Sequence, residues 1–264
     1  MRTLAALGCQ LFAAFVSACS RGSHPEGSAA PTPTIIGDGG LGLLGAAAVR
    51  QRIYRAPPAT GTLTTDPVTT RAGSVLLACL ARGSWALAPE APTDNHGNVF
   101  SPLGELHSYA DWPTSATRLY RAIDPSTGPN HTFSMTWGDI GGTGDEVTIS
   151  VVEVLGAKTI EATSWIERSR GRLVESAPVT TSGPAVLVAW WWGSGKVRRA
   201  GSKHVAAPGD GFTIVPEATA LTSLGTDGYV QVAVAYRVVQ AAGTYQVTWK
   251  TDDEGAQLYL VALR

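Results

Sequence analysis

Apolar residues recur at every other position along much of the chain. Val230, Val232, Val234, Tyr236 and Val238 alternate with Gln231, Ala233, Ala235 and Arg237, and Tyr245, Val247 and Trp249 with Gln246, Thr248 and Lys250. Earlier, Phe133, Met135 and Trp137 lie between Thr132, Ser134 and Thr136, and Val147, Ile149 and Val151 between Thr148 and Ser150. Successive side chains leave a strand on opposite faces, so a period of two predicts strands with one face in a core. The phase slips at Val151-Val152, which predicts a β-bulge. Turn-forming residues separate the strands at Asp94-Asn95-His96-Gly97, Asp124-Pro125-Ser126-Thr127-Gly128, Gly141-Gly142-Thr143-Gly144, Ala241-Ala242-Gly243 and Asp252-Asp253-Glu254-Gly255. No stretch carries a helical period of useful length. Two runs, 75–81 and 186–192, are apolar at every position. Strands of that kind must be covered on both faces, either by a second packed body or by long loops. Within the second run Trp191 must point opposite to Trp190 and Trp192, so at least part of the triplet is core.

The chain repeats itself. Pro67-Val68-Thr69-Thr70 returns as Pro178-Val179-Thr180-Thr181, and each is followed by one of the two apolar runs and then by Gly-Ser, at Gly83-Ser84 and Gly193-Ser194. The segment Gly97 to Pro102 matches Gly211 to Pro216, Tyr120-Arg121 matches Tyr236-Arg237, and Phe133 to Trp137 matches Tyr245 to Trp249. The matches keep their order and drift only by loop-sized insertions, the signature of a duplicated unit. Each copy has the roughly 100 residues of a small β-sandwich. The expectation is an all-β fold: an antiparallel β-sandwich, jelly-roll-like or Ig-like, built from two pseudo-repeats packed together. Whether these form two sandwiches or one larger one stays open at this level.

Composition agrees with that picture. The chain has 264 residues, 44% hydrophobic and 16% charged, with 30 Gly and 16 Pro. So much apolar surface excludes disorder as the main state. A net charge of -1 offers no long-range attraction to a polyanion, which argues against a nucleic-acid partner.

The start of the chain carries a different pattern. Arg2 precedes a short apolar run ending in small residues, the layout of an export signal and too short to span a bilayer permanently. Its end, Val16-Ser17-Ala18-Cys19, resembles the lipobox of bacterial lipoproteins, with Val in place of the more usual Leu at the first position. That resemblance implies cleavage before Cys19, lipidation of the Cys19 thiol and acylation of the new amine. Membrane lipid thereby becomes a partner through Cys19, and Ser20 in place of Asp favours the outer membrane. Residues 1–18 are then the signal peptide. Residues 19–45, rich in Gly, Ala, Ser, Pro and Thr, form a flexible tether. The repeats follow at 46–158 and 159–264. Cys9 leaves with the signal and Cys19 carries lipid, so Cys79 has no partner for an intramolecular disulfide and reads as a small buried apolar residue.

From about residue 48 onward the chain also resembles a group of secreted bacterial β-sandwich modules. The resemblance rests on Leu76 to Leu80, the turn Asp94-Asn95-His96-Gly97-Asn98, Leu119 to Ala122, His131 to Trp137, Val151-Val152-Glu153-Val154, Tyr236 to Tyr245 and Leu258 to Leu263. It implies the fold and carries no activity. Such modules occur in surface, adhesin-like or polysaccharide-associated proteins.

Candidate chemistry is sparse. The chain lacks a Gly-x-Ser-x-Gly elbow, a phosphate-binding loop, His-Glu-x-x-His and paired Cys-x-x-Cys motifs. His24, His96, His107, His131 and His204 are scattered and not at metal-ligand spacing, so neither cofactor nor metal is expected. A glycosidase needs two carboxylates facing one cleft, for which Glu153, Glu105 and Glu217 are the candidates. The plainer expectation is that Glu153 pairs with an arginine such as Arg121 or sits at a strand edge. The turn at Asp94 and the run Asp252-Asp253-Glu254 have oxygen ligands suited to Ca²⁺, and ordinary turn hydrogen bonding explains them equally. Aromatic residues in loop-like stretches, Trp85, Tyr109 and Trp112, are the candidate ligand-binding residues, because sugar rings stack on exposed aromatic faces and loops carry function. Their alternative role is to cap the open end of a sandwich. The functional expectation is a non-catalytic binding or adhesion module with glycan or an envelope protein as partner. The alternatives are a polysaccharide hydrolase, or a structural envelope component with an apolar patch around Trp190 and Trp192.

Overall fold

The computed structural model describes residues 43–54, 61–83, 90–110, 112–137, 145–194, 206–225 and 228–264. The first repeat forms β1 (Leu43–Tyr54), β2 (Gly61–Thr64), β3 (Ser74–Arg82), β4 (Thr93–Asp94), β5 (Ser101–Tyr109), β6 (Trp112–Ile123), β7 (Phe133–Trp137) and β8 (Asp145–Leu155). The second forms β9 (Ile160–Glu175), β10 (Val179–Thr181), β11 (Ala185–Ser194), β12 (Ala207–Pro208), β13 (Thr213–Ile214), a 3-10 turn at Pro216–Ala218, β14 (Ala220–Gly225), β15 (Gly228–Val239), β16 (Gly243–Tyr245) and β17 (Thr248–Leu263). Residues 1–18, expected to be a signal peptide, Cys19 and most of the stretch expected to be a tether lie outside the described residues. β1 begins at Leu43, within the stretch read as tether.

Both repeats use one topology. In the first, a five-stranded sheet runs β1-β8-β3-β6-β5 and a three-stranded sheet runs β2-β7-β4. Strands one, eight, three and six in one sheet, with two, seven and four in the other, is the jelly-roll order, so the Ig-like alternative falls away. In the second repeat β9 pairs with β17 twice, through Ile160–Arg168 and again through Leu173–Glu175, with register breaks between. β9 therefore fuses the first and second strands of a roll, and β17 fuses the seventh and eighth. The order β9-β17-β11-β15 reproduces β1-β8-β3-β6.

The two all-apolar runs became β3 and β11, each central in its sheet. Their alternate residues enter different cores. Val75, Leu77, Cys79 and Ala81 meet Val186, Val188, Trp190 and Trp192 in one core shared by the two rolls. Leu76, Ala78 and Leu80 line the interior of the first roll, with Tyr120, Phe133 and Ile149. Leu187, Ala189 and Trp191 line that of the second, with Trp249 and Leu258. The rolls thus pack back to back, and the Trp triplet divides between two cores as its alternation requires. All of it is buried, which removes the apolar surface patch that would have favoured an envelope scaffold.

The shared core is close to two-fold symmetric. β1 lies against β14 and the 3-10 turn, β8 against β15, and β5 against β9, so the two sheet orders run in opposite directions across it. Equivalent strands occupy equivalent places on the two sides, the geometry of an isologous dimer interface realised within one chain.

The strand register corrects three expectations. Thr65 accepts the Phe133 amide through its hydroxyl, as Ser176 accepts that of Val247, and Val68 opposes His131 as Val179 opposes Tyr245. The equivalent of Phe133 is therefore Val247, two residues beyond the expected Tyr245. A two-residue slip preserves faces and the apolar alternation conceals it. Tyr120 and Tyr236 are not equivalent either: Tyr120 enters the interior of the first roll, whereas Tyr236 packs on the shared core. Finally, β8 pairs with β3 without a register break, and the bulge lies in β1 between Leu44 and Ala47. The slip at Val151-Val152 reflects a strand buried on both faces, with Val151 in one core and Val152 in the other.

Glu153 explains that bulge. Gly45 and Ala46 together oppose it, and its fully buried carboxylate accepts the Ala46 N–H at 2.9 Å and the Arg71 N–H at 2.6 Å. A Cβ on Gly45 would lie 2.1 Å from the Glu153 Oε2, so only glycine fits. The expected arginine pairing is replaced by two backbone amides that would otherwise lack an acceptor.

Trp190→Ala opens a cavity in the shared core and should cost about 3–5 kcal/mol. Because that core belongs to both rolls, urea unfolding followed by hydrogen exchange should show amides of β3 and β11 losing protection together. Loss confined to the second roll would contradict a shared core.

Candidate functional site

The chemistry-bearing side chains gather where the first roll closes, at the turn following β4. Asp94 Oδ1 accepts the amides of His96 (3.1 Å) and Asn98 (2.9 Å), the local bonding that Asp makes in tight turns. Its Oδ2 accepts Asn98 Nδ2 at 2.7 Å and His131 Nε2 at 2.9 Å. On the far side of the ring, Thr70 Oγ1 lies 2.7 Å from His131 Nδ1. Asp94 and His131 side chains are wholly buried, and His96 lies against the His131 ring at 4.1 Å.

A hydroxyl, an imidazole and a carboxylate in line resemble a nucleophilic relay. The surroundings assign another job. Thr70 is buried, its hydroxyl also receives the Gly128 amide at 3.2 Å, and its own amide donates to the Gly128 carbonyl. The Thr70 hydroxyl thus sits between the Gly128 N–H and His131 Nδ1, while Nε2 of the same ring bonds Asp94, so the three side chains tie the turns of the closed roll together. Neighbouring bonds extend the clasp. Asn95 bonds to Asn130 and Thr132, and Asn98 to Ser126 through both ends of its amide. The Asp-x-x-Gly-Asn turn is thus a lock between residues 94–98 and 124–132. Every Asp94 oxygen already faces N–H donors, so a cation there would have to displace them. Burial pushes the Asp94 carboxyl up, but the Asn98 bonds and then His131 outweigh it and hold it below the ordinary carboxylate value.

The sequence did not mark this array, because Thr70, Asp94 and His131 are far apart in the chain and their residue types are common. One signal was present: Thr70 belongs to the repeated Pro-Val-Thr-Thr segment. The second copy has Tyr245 at the place of His131, and its hydroxyl donates to the Ala241 carbonyl at 2.8 Å.

The carboxylates considered for hydrolysis do not meet. Glu153 is sealed in the β1 bulge, Glu105 is exposed on β5, and Glu217 is exposed in the 3-10 turn of the other roll. Of the aromatic candidates, Trp85 lies outside the described residues. Trp112 opens β6 directly after the hairpin turn, paired with Tyr109, and its side chain lies outside the description. Tyr109 is corrected: it ends β5, is only 2% exposed, and meets Trp192 edge-on at 6.2 Å. Its ring caps the shared core, because the hairpin carrying it bends onto the second roll. Cys79 is buried, and burial raises its thiol well above the ordinary value, so it is inert. Asp253 and Glu254 lie at a register break in β17, Asp253 with φ +71°, rather than in a free hairpin tip.

An open groove of about 470 Å³ lies where the first roll hands over to the second, lined by Gly156, Lys158, Thr159, Glu161 and Arg264. Arg264 is committed there to Glu161 at 3.6 Å and to Ser182 Oγ, while its carbonyl accepts the Lys158 and Thr159 amides. The lining holds no aromatic face on which a sugar could stack.

A depressed carboxylate contributes stability above its unfolded value of 3.8 and loses it as pH falls through the lower folded value. Asp94→Asn should therefore cost about 2 kcal/mol at neutral pH, the scale of hydrogen bonds to a charged group. It should also flatten the acid side of the stability–pH curve, which denaturant midpoints between pH 2 and 6 measure. An unchanged acid limb would contradict the role given to Asp94. No protein-family model, curated protein or solved structure matches the chain, so its functional reading rests on its own residues.

Proposed function

We propose that the chain is an exported, lipid-anchored envelope protein whose double roll binds or adheres and does not catalyse, with glycan as its ligand class. The anchoring half rests on Val16-Ser17-Ala18-Cys19 and the polar, Pro- and Thr-containing stretch behind it, which suits a spacer between lipid and folded body. The observation that carries the non-catalytic half is the engagement of the buried acid–base groups. Asp94 and Glu153 spend their oxygens on N–H donors of the fold, so neither is free to move a proton for a substrate. With Tyr109 committed to the shared core, the aromatic contribution to binding falls to Trp112 and Trp85.

Two measurements test the reading separately. Mass spectrometry of the protein purified from its host membrane should find Cys19 as the acylated first residue, and Cys19→Ala should release the chain from the membrane fraction. The detergent-solubilised chain on a glycan array should retain a defined class of polysaccharide, and Trp112→Ala should weaken retention about tenfold, near 1.4 kcal/mol. An unmodified Cys19 removes the anchor. Retention of no glycan, or retention indifferent to Trp112→Ala, removes the ligand assignment.

A further inference from the structure

Side chains of β6 and β17 meet across the shared core, one from each roll. Thr117 lies beside Ala81 of β3 and Gln257 beside Trp192 of β11, both of which belong to that core. The Thr117 hydroxyl bonds to the Gln257 carboxamide oxygen, and both residues are wholly buried. The other polar atoms of the pair are held as well. The Tyr259 phenol oxygen lies 2.9 Å from the Thr117 hydroxyl and donates to the Thr117 carbonyl at 3.1 Å. Gln257 Nε2 donates to the His107 carbonyl at 3.1 Å. The His107 ring in turn stacks on Trp165 with centroids 3.9 Å apart and stands 5.8 Å from the Tyr259 ring, so the residues that hold the pair are themselves packed. A hydroxyl held on a carboxamide in a buried site is a nucleophile and an acyl group fixed in one orientation. Fixing reactants in this way is worth an effective concentration of roughly 10⁵–10⁸ M.

We propose that Thr117 and Gln257 form an intramolecular ester that joins the two rolls covalently. Thr117 Oγ1 attacks Gln257 Cδ, making the new C–O bond, and the Cδ–Nε2 bond then breaks. The hydroxyl proton goes to the departing nitrogen, which leaves as ammonia. A hydroxyl and a carboxamide thus become an ester and ammonia, with no oxidant, reductant or co-reactant. The His107 carbonyl, already accepting Nε2–H, favours the positive charge that this nitrogen gains as it takes up the proton. Burial raises the Tyr259 phenol well above its ordinary value, so it serves the Thr117 hydroxyl as a neutral hydrogen-bond partner. Loss of ammonia to solvent draws the exchange forward, and burial keeps water from hydrolysing the product. The linked residues are 140 apart in the chain and sit in different rolls, so β6 and β17 cannot part while the ester stands.

Peptide mapping of the full chain, denatured and digested after purification in its folded form, tests this. The peptides carrying Thr117 and Gln257 should appear as one branched species, lighter than their sum by one ammonia. Hydroxylamine should cleave the branch and release both peptides, as it does with esters. Thr117→Ala and Gln257→Ala should each abolish the branched species. Recovery of the two peptides only as separate linear species, a branch that resists hydroxylamine, or a branch that persists in Thr117→Ala overturns the proposal. Should either variant fail to fold, fragmentation of the branched species from the native chain decides instead. A link placed between Thr117 and Gln257 supports the ester, and a link at any other pair overturns it.

Discussion

Burial of β3 and β11 on both faces is the constraint from which the architecture follows. A strand with apolar side chains on one face can sit at the surface of a single sandwich, but these two cannot, and among the described residues the outer face of each is covered by that of the other. Packing them together makes three cores from two rolls. It also accommodates a cost. The indole N–H groups of Trp190, Trp191, Trp192 and Trp249 are buried without an acceptor, at about 1–3 kcal/mol each. Burial of a ring of roughly 200 Å² offsets this with about 5 kcal/mol. The rings stay inside because area outweighs the single donor.

Polar residues in this fold are used mainly as fasteners for irregular backbone. Glu153 fills the β1 bulge, the Asp94 lock closes the end of the first roll, and Thr117, buried in the junction, bonds to Gln257 and Tyr259 of the other roll. For Glu153 and Asp94 the side chain supplies the acceptor that a regular ladder would have supplied, which keeps the amides of Ala46, Arg71, His96 and Asn98 satisfied, whereas Thr117 links side chains of the two rolls. At Asp94 the same donors also hold the carboxyl below its ordinary value.

The near two-fold relation of the rolls places different chemistry at equivalent places. Where β1 and β8 meet β14 and the 3-10 turn, Ala47, Val49, Ala218 and Ala220 pack on the shared core and Ser150 bonds to the Ala218 carbonyl. Where β5 meets β9 the contact is aromatic and ionisable, with His107 on Trp165 and Glu167 at the Ala110 amide. The two margins of the interface therefore differ in chemistry although their strands are related by the same near two-fold.

The alternation of apolar and polar residues, the two all-apolar runs and the repeated Pro-Val-Thr-Thr segment were enough to determine an all-β chain of two copies and the division of the Trp triplet, because side-chain direction along a strand is a local property. Tertiary structure decided what depends on register and on distant partners. The two-residue slip between Phe133 and Val247 is invisible to a pattern with a period of two, and the bulge had to be located by the strand opposite β8. Glu153 found backbone amides instead of Arg121, and Tyr109 became core instead of loop. The meeting of Thr70, Asp94 and His131 was likewise settled by which turns the closed roll brings together, for which no spacing along the chain could stand in.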